Sequence, residues 1–146
     1  MNVLFGHGYW GKIVASSYTG DTPLVICDPQ HKDTISYEEA LEGFKEGLYN
    51  AAYVATPPST HFRIVKDLSF HNPKILVEKP AFESVTFFNQ FDSDQLQKIY
   101  VGHTFLQEEG FQELKRKLNK VQGNLFIEGF RKNTAGPIRK DCTNLM

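Results

Sequence analysis

Four groups of residues in this chain have the types and spacing to do chemistry together. The first is Gly6-x-Gly8-x-x-Gly11, placed directly after the apolar run Val3-Leu4-Phe5. A strand, a glycine turn and a helix in that order can cradle a phosphate. Gly6 would allow the tight turn, Gly8 would let the backbone approach a pyrophosphate, and Gly11 would let the helix pack close to the strand. The N–H groups and the positive dipole end of that helix would favour the anion. The second is Asp28, which closes the apolar run Leu24-Val25-Ile26-Cys27. It falls near the spacing of ~20 residues at which an acid meets an adenosine ribose. Its carboxylate could accept from both ribose hydroxyls and would repel a 2′-phosphate, so NAD is expected ahead of NADP. The plainer role is to begin the Asp28-Pro29 turn. The third and fourth groups, Thr56-Pro57-Pro58 and Glu78-Lys79-Pro80, each interrupt the chain after another apolar run, and His103 follows a further one.

Alternating strands and helices would position these groups. Strands are predicted at Asn2 to Phe5, Leu24 to Cys27, Ala51 to Ala55, Ile75 to Val77, Lys98 to Gly102 and Leu125 to Phe130. A helix from about Tyr9 to Tyr18 follows the glycine turn. Ser36-Tyr37-Glu38-Glu39 has capping-box form and opens a second helix, stopped by Gly47. Ser59 or Thr60 is expected to cap a third, carrying Phe62, Ile64, Val65 and Leu68. A weaker helix spans Ser84 to Phe91, and another spans Gln107 to Leu118. The strands are continuous apolar runs, the mark of a parallel sheet buried on both faces. Ligands bind such sheets outside the carboxyl ends of the strands. Every unusual group falls at one of those ends.

Composition bounds the alternatives. The 146 residues suit one domain, and 16 basic against 17 acidic side chains give a net charge of −1. Nothing there attracts nucleic acid or an anionic membrane. The basic run Lys115-Arg116-Lys117 reads as a solvated helix face. Cys27 and Cys142 form no CxxC pair, so neither a disulfide framework nor a metal site is expected. The N-terminus lacks a basic region and a long apolar run, and no stretch approaches the ~20 apolar residues of a membrane span. A soluble, cytoplasmic protein is the expectation.

Taken together, Gly6-x-Gly8-x-x-Gly11, Ala55-Thr56-Pro57-Pro58-x-x-His61 and Glu78-Lys79-Pro80 resemble the N-terminal half of the Gfo/Idh/MocA oxidoreductases. The stretches Val101-Gly102-His103-Thr104-Phe105 and Arg131-x-Asn133-x-x-Gly136-Pro137-Ile138-Arg139-x-Asp141 resemble the branch acting on nucleotide-sugars and polyols. The resemblance implies a Rossmann-type, doubly wound α/β domain over residues 1–106. Residues 107–146 would then begin an α+β substrate domain, represented by its first strand. It implies hydride transfer between a hydroxyl-bearing carbon of a sugar, nucleotide-sugar or polyol and nicotinamide. Lys79 would contact the reacting hydroxyl as the catalytic residue. Thr56, Pro57 and Pro58 would line the nicotinamide ribose, and Glu78 would meet that ribose or hold Lys79. Tyr9 and Trp10 would run along the pyrophosphate toward nicotinamide, His61 would start the helix behind its turn, and His103 would face the nicotinamide pocket. Tyr9, Trp10, His61 and His103 have purely structural readings that weigh equally.

Family members continue into a second domain whose Asp-x-x-x-His helix supplies a catalytic histidine. Here no histidine follows His103. A shortened gene product, a separately encoded substrate domain and a stand-alone NAD-binding module without turnover all fit that departure. An exposed edge on the last strand and an apolar tail would favour a homo-oligomer. A methyltransferase also uses a glycine turn and an acid after the second strand, but Thr56-Pro57-Pro58-Ser59 departs from its usual Asn/Asp-Pro-Pro-aromatic turn.

Overall fold

A computed structural model describes residues 1–103, 106 and 108–120. The chain divides into two compact units, Met1–Glu108 and Glu109–Met146. The first holds five strands: β1 (Asn2–Phe5), β2 (Leu24–Cys27), β3 (Ala51–Val54), β4 (Lys74–Val77) and β5 (Ile99–Val101). Between them run α1 (Tyr9–Ser17), α2 (Tyr37–Lys45), α3 (Pro58–Ser69), a 3-10 helix (Val85–Gln90) and the short α4 (Ser93–Leu96). The described part of the second unit includes one helix, α5 (Glu109–Leu118). Glu113 pairs there with Arg116 and Lys117, which keeps the polar face in water.

All pairings are parallel, in the order β2-β1-β3-β4-β5. This is a Rossmann-like α/β fold. The chain leaves β1 toward β2 on one side and returns to β3 on the other, so the strand order reverses at β1/β3. A crevice at such a reversal is where ligands of open parallel sheets bind. The register sharpens the point. Phe5 pairs with Cys27 and Val54, Val54 with Val77, and Val77 with Val101. One row of apolar residues therefore closes all five strands. The next residues in sequence, Gly6, Asp28, Ala55, Glu78 and Gly102, stand together beyond it.

The core lies mainly on one face. Val3, Phe5, Val54, Ile75 and Val77 pack there against Phe44 of α2 and Ile64, Val65 and Leu68 of α3. Successive strand residues point to opposite faces, so Leu4 is buried on the other side, where Gly11 of α1 approaches it. The expectation that every strand is covered on both faces fails at β4 and β5. Leu76 is 39% exposed and Tyr100 53% exposed, beside an open hollow of about 570 Å³. Apolar runs too short to show an alternating period gave no sign of this.

Local chemistry accounts for most element boundaries. The capping box on α2 forms in full, with Ser36 accepting from Glu39 N and Glu39 accepting from Ser36 N. Gly47, at φ 73°, takes the left-handed step that ends this helix. Two expectations need correction. Neither Ser59 nor Thr60 caps α3. The helix starts at Pro58 with Pro57 before it, because proline needs no N–H bond in a first turn. Thr60 Oγ1 instead donates to Pro57 O and Thr56 Oγ1, both at 2.7 Å. The segment Ser84 to Phe91 is not an α-helix but the 3-10 helix Val85–Gln90, with Ser84 accepting from Thr86 N. A three-residue turn puts Phe88 and Phe91 on one side, where both rings meet Phe82. The predicted strand Leu125 to Phe130 lies outside the described residues. Among the described residues, no helix is long and apolar enough to cross a membrane.

Candidate functional site

The glycine turn is built by contact rather than by flexibility. Gly6 has φ +88°, and a Cβ there would lie 2.9 Å from both Ala55 O and Thr56 N. The turn after β1 is thus pressed against the turn after β3. A Cβ on Gly11 would lie 2.0 Å from Gly6 O, so the first turn of α1 rests directly on the same turn. Gly8 differs: nothing lies within 4 Å of its Cβ position. It is the N-cap of α1, has no side-chain cap, and no acidic residue occupies the first turn. Backbone at Gly8 therefore faces open space at the positive end of a helix, which suits an anion.

Asp28 is tied to this turn. Its Oδ2 accepts the His7 N–H at 2.6 Å and its Oδ1 accepts the Gln30 N–H at 2.8 Å. The side chain is only 9% exposed. Burial pushes its pKa up, but the two backbone N–H bonds and the nearby His31 and His7 more than offset that and hold it below the ordinary carboxylate value. A carboxylate has about four acceptor sites, so two remain for hydroxyl donors. Next to it, burial first and then the Asp28, Glu38 and Glu39 charges push the Cys27 thiol up to about 11. The His7 and His31 rings meet edge to face at 4.9 Å. His31 was not singled out in the sequence, because a histidine in a polar loop carries no spacing signal.

The remaining strand ends join on. Glu78 N donates to Val54 O at 2.9 Å, and Gly102 N donates to Val77 O at 2.8 Å. A Cβ on Gly102 would lie 3.1 Å from Glu78 Oε1, so the carboxylate is laid over that glycine. Gly102 is thereby part of the site, a role its place one residue beyond the fifth apolar run could have suggested. Lys79 is exposed, its peptide to Pro80 is cis, and its N–H lies 3.4 Å from Glu78 Oε2. Tyr9 and Trp10 are both exposed at the start of α1, their rings 5.6 Å apart. His103 is exposed beyond β5. His61 lies behind the Thr56-Pro57-Pro58 turn. It is 1% exposed in α3, and its two ring nitrogens lie 2.9 Å from Pro80 O and 2.8 Å from Thr56 O. No ring nitrogen is left for a ligand. Among the described residues no group of three or more potential metal ligands occurs.

This is a Rossmann-type domain with its chemistry-bearing residues at the strand reversal. Residues 23–92 match the model of the Gfo/Idh/MocA oxidoreductase family, an NAD-binding Rossmann fold. No curated protein matches the sequence. Solved structures share the fold. A UDP-N-acetylglucosamine 3-dehydrogenase, GnnA from Acidithiobacillus ferrooxidans, is 18% identical with a TM-score of 0.65, covering 80% of this chain and 42% of that one. GenD2 from gentamicin A biosynthesis, in complex with NAD, is 20% identical with a TM-score of 0.67, covering 82% and 38%. The myo-inositol dehydrogenase from Lactobacillus casei, in complex with NAD(H) and myo-inositol, is 18% identical with a TM-score of 0.66, covering 81% and 40%. The chain thus spans about two fifths of the length of these structures.

Proposed function

We propose that this chain is the cofactor-binding half of an NAD-dependent oxidoreductase acting on a hydroxyl of a sugar, nucleotide-sugar or polyol. The observation that carries this is the convergence of Gly6, Gly8, Gly11 and Asp28 at the strand reversal, with Lys79 exposed at the end of the adjacent β4. The residues fit the cofactor. Gly8 leaves its backbone open to a pyrophosphate, with Tyr9 and Trp10 alongside. Asp28 offers its two remaining acceptor sites to the adenosine ribose, and its charge disfavours a 2′-phosphate. Thr56, Pro57, Pro58 and Glu78 would flank the nicotinamide ribose, with His103 on the far side.

Bound nicotinamide supplies a hydride acceptor. Lys79 is the group that would take the hydroxyl proton as the C–H hydride leaves, or stabilise the alkoxide that forms. Support comes from its place at the strand end and from the oxidoreductase family model that the domain matches. Nicotinamide reduction assayed against nucleotide-sugars and polyols tests the proposal. Turnover that Lys79→Ala abolishes is expected. NAD binding with no turnover on any of them would favour a non-catalytic NAD-binding module, and S-adenosylmethionine binding in place of NAD would overturn both.

A further inference from the structure

His61 stands where the turns after β3 and β4 meet. Its Nε2 lies 2.8 Å from Thr56 O and its Nδ1 lies 2.9 Å from Pro80 O. A carbonyl oxygen only accepts, so each nitrogen must present an N–H to make its bond. A neutral imidazole has one N–H. Its second nitrogen would aim a lone pair at a carbonyl lone pair, in a place where the ring is 1% exposed and water cannot replace the bond. The imidazolium has two N–H groups and satisfies both carbonyls.

From this geometry we infer that His61 is a doubly protonated clamp between the Thr56 turn and the Lys79–Pro80 turn, a positioning residue for Lys79 and the nicotinamide end of the site. The inference rests on the function proposed above for what the clamp serves, but not for the clamp itself. The two-donor form meets both carbonyls by hydrogen bonds. The neutral ring gains little by comparison, since it leaves a buried carbonyl without a donor. Glu78 and Lys79 lie on the turn that supplies Pro80 O, and the Thr56 turn carries no charged side chain. On α3, Arg63 lies 3.9 Å from Asp67, and Lys66 donates to Gln90 O.

Loss of one proton would release one of the two turns. The Thr56 turn presses on Gly6, and the other turn carries Lys79, so both cofactor affinity and lysine placement would change without His61 touching a ligand. The test uses the wild-type chain and His61→Gln. Nitrogen–proton NMR of the histidine rings, with His61 assigned by its loss in His61→Gln, should find two ring N–H groups on His61 at neutral pH. One N–H and one bare nitrogen would overturn the clamp. NAD affinity across pH should fall by about tenfold, the value of one charged hydrogen bond, over the range in which the second N–H disappears. His61→Gln should bind more weakly and lack that tenfold step. An unchanged wild-type affinity through that range would overturn the positioning role. Failure of the wild type to bind NAD at any pH would defeat the proposed function, while the NMR result alone would still decide the clamp.

Discussion

The backbone N–H of His7 donates to Oδ2 of Asp28 at 2.6 Å, joining the glycine turn after β1 to the acid after β2 across 21 residues of sequence. The bond gives Asp28 a structural role in addition to any role in recognising ribose. Its folded-state pKa lies below the ordinary value, which is about 3.9. A depressed carboxylate contributes stability above its unfolded pKa and loses it as pH falls through the folded value. Asp28→Asn should therefore cost about 1–2 kcal/mol at pH 7 and progressively less below about pH 4. Urea midpoints at pH 7 and pH 3 check this; a penalty unchanged with pH would remove Asp28 from the acid response.

The three glycines should separate fold from ligand. Gly11→Ala forces a Cβ to 2.0 Å from Gly6 O and should destabilise the domain by about 3 kcal/mol. Gly6→Ala meets backbone at 2.9 Å with φ +88° and should cost about 1–3 kcal/mol. Gly8→Ala meets nothing within 4 Å and should stay within about 0.5 kcal/mol of wild type. Thermal or urea unfolding ranks the three, and Gly8→Ala proving the worst would contradict the packing described.

Cys27 should be inert while the domain is folded. Burial and its acidic neighbours push the thiol up to about 11, so at pH 8 its thiolate is scarcer than in an ordinary cysteine by about two orders of magnitude. Alkylation followed by peptide mapping, which separates Cys27 from Cys142, should find Cys27 protected natively and modified in urea. Rapid native labelling of Cys27 would show that the β2 end opens.

If Lys79 serves the substrate hydroxyl as proposed, Lys79→Ala should leave NAD affinity within about threefold of wild type and lower turnover by 10²-fold or more. Calorimetry and a rate assay together read the split. A large loss of NAD affinity with turnover retained would assign Lys79 to cofactor binding instead.

Much of the fold around these strand ends was legible because each element announces itself by a local rule. Gly6 and Gly11 stand where the turn and the helix must touch, and Asp28 follows an apolar run at the dinucleotide spacing. What stayed hidden depends on contacts between distant segments. His61 looks like a helix residue near a Pro-Pro turn, and only the fold brings Pro80 O to its second nitrogen. The 3-10 helix Val85–Gln90 is set by Phe82, Phe87 and Phe91 gathering on Phe62 of α3, with Phe88 against Phe82. That cluster overrides the helical pattern. The exposed face at Leu76 and Tyr100 was invisible for a different reason: a strand buried on one face and one buried on two look alike over four residues.

The central claim is that the carboxyl ends of these strands hold NAD. Calorimetric titration of the wild-type chain and Gly8→Ala with NAD and with NADP tests it most directly, since Gly8→Ala leaves the fold intact. Wild-type binding of NAD in preference to NADP, weakened about tenfold or more in Gly8→Ala, is the predicted result. Equal NAD affinity in the two proteins, or no binding by the wild type, would contradict it.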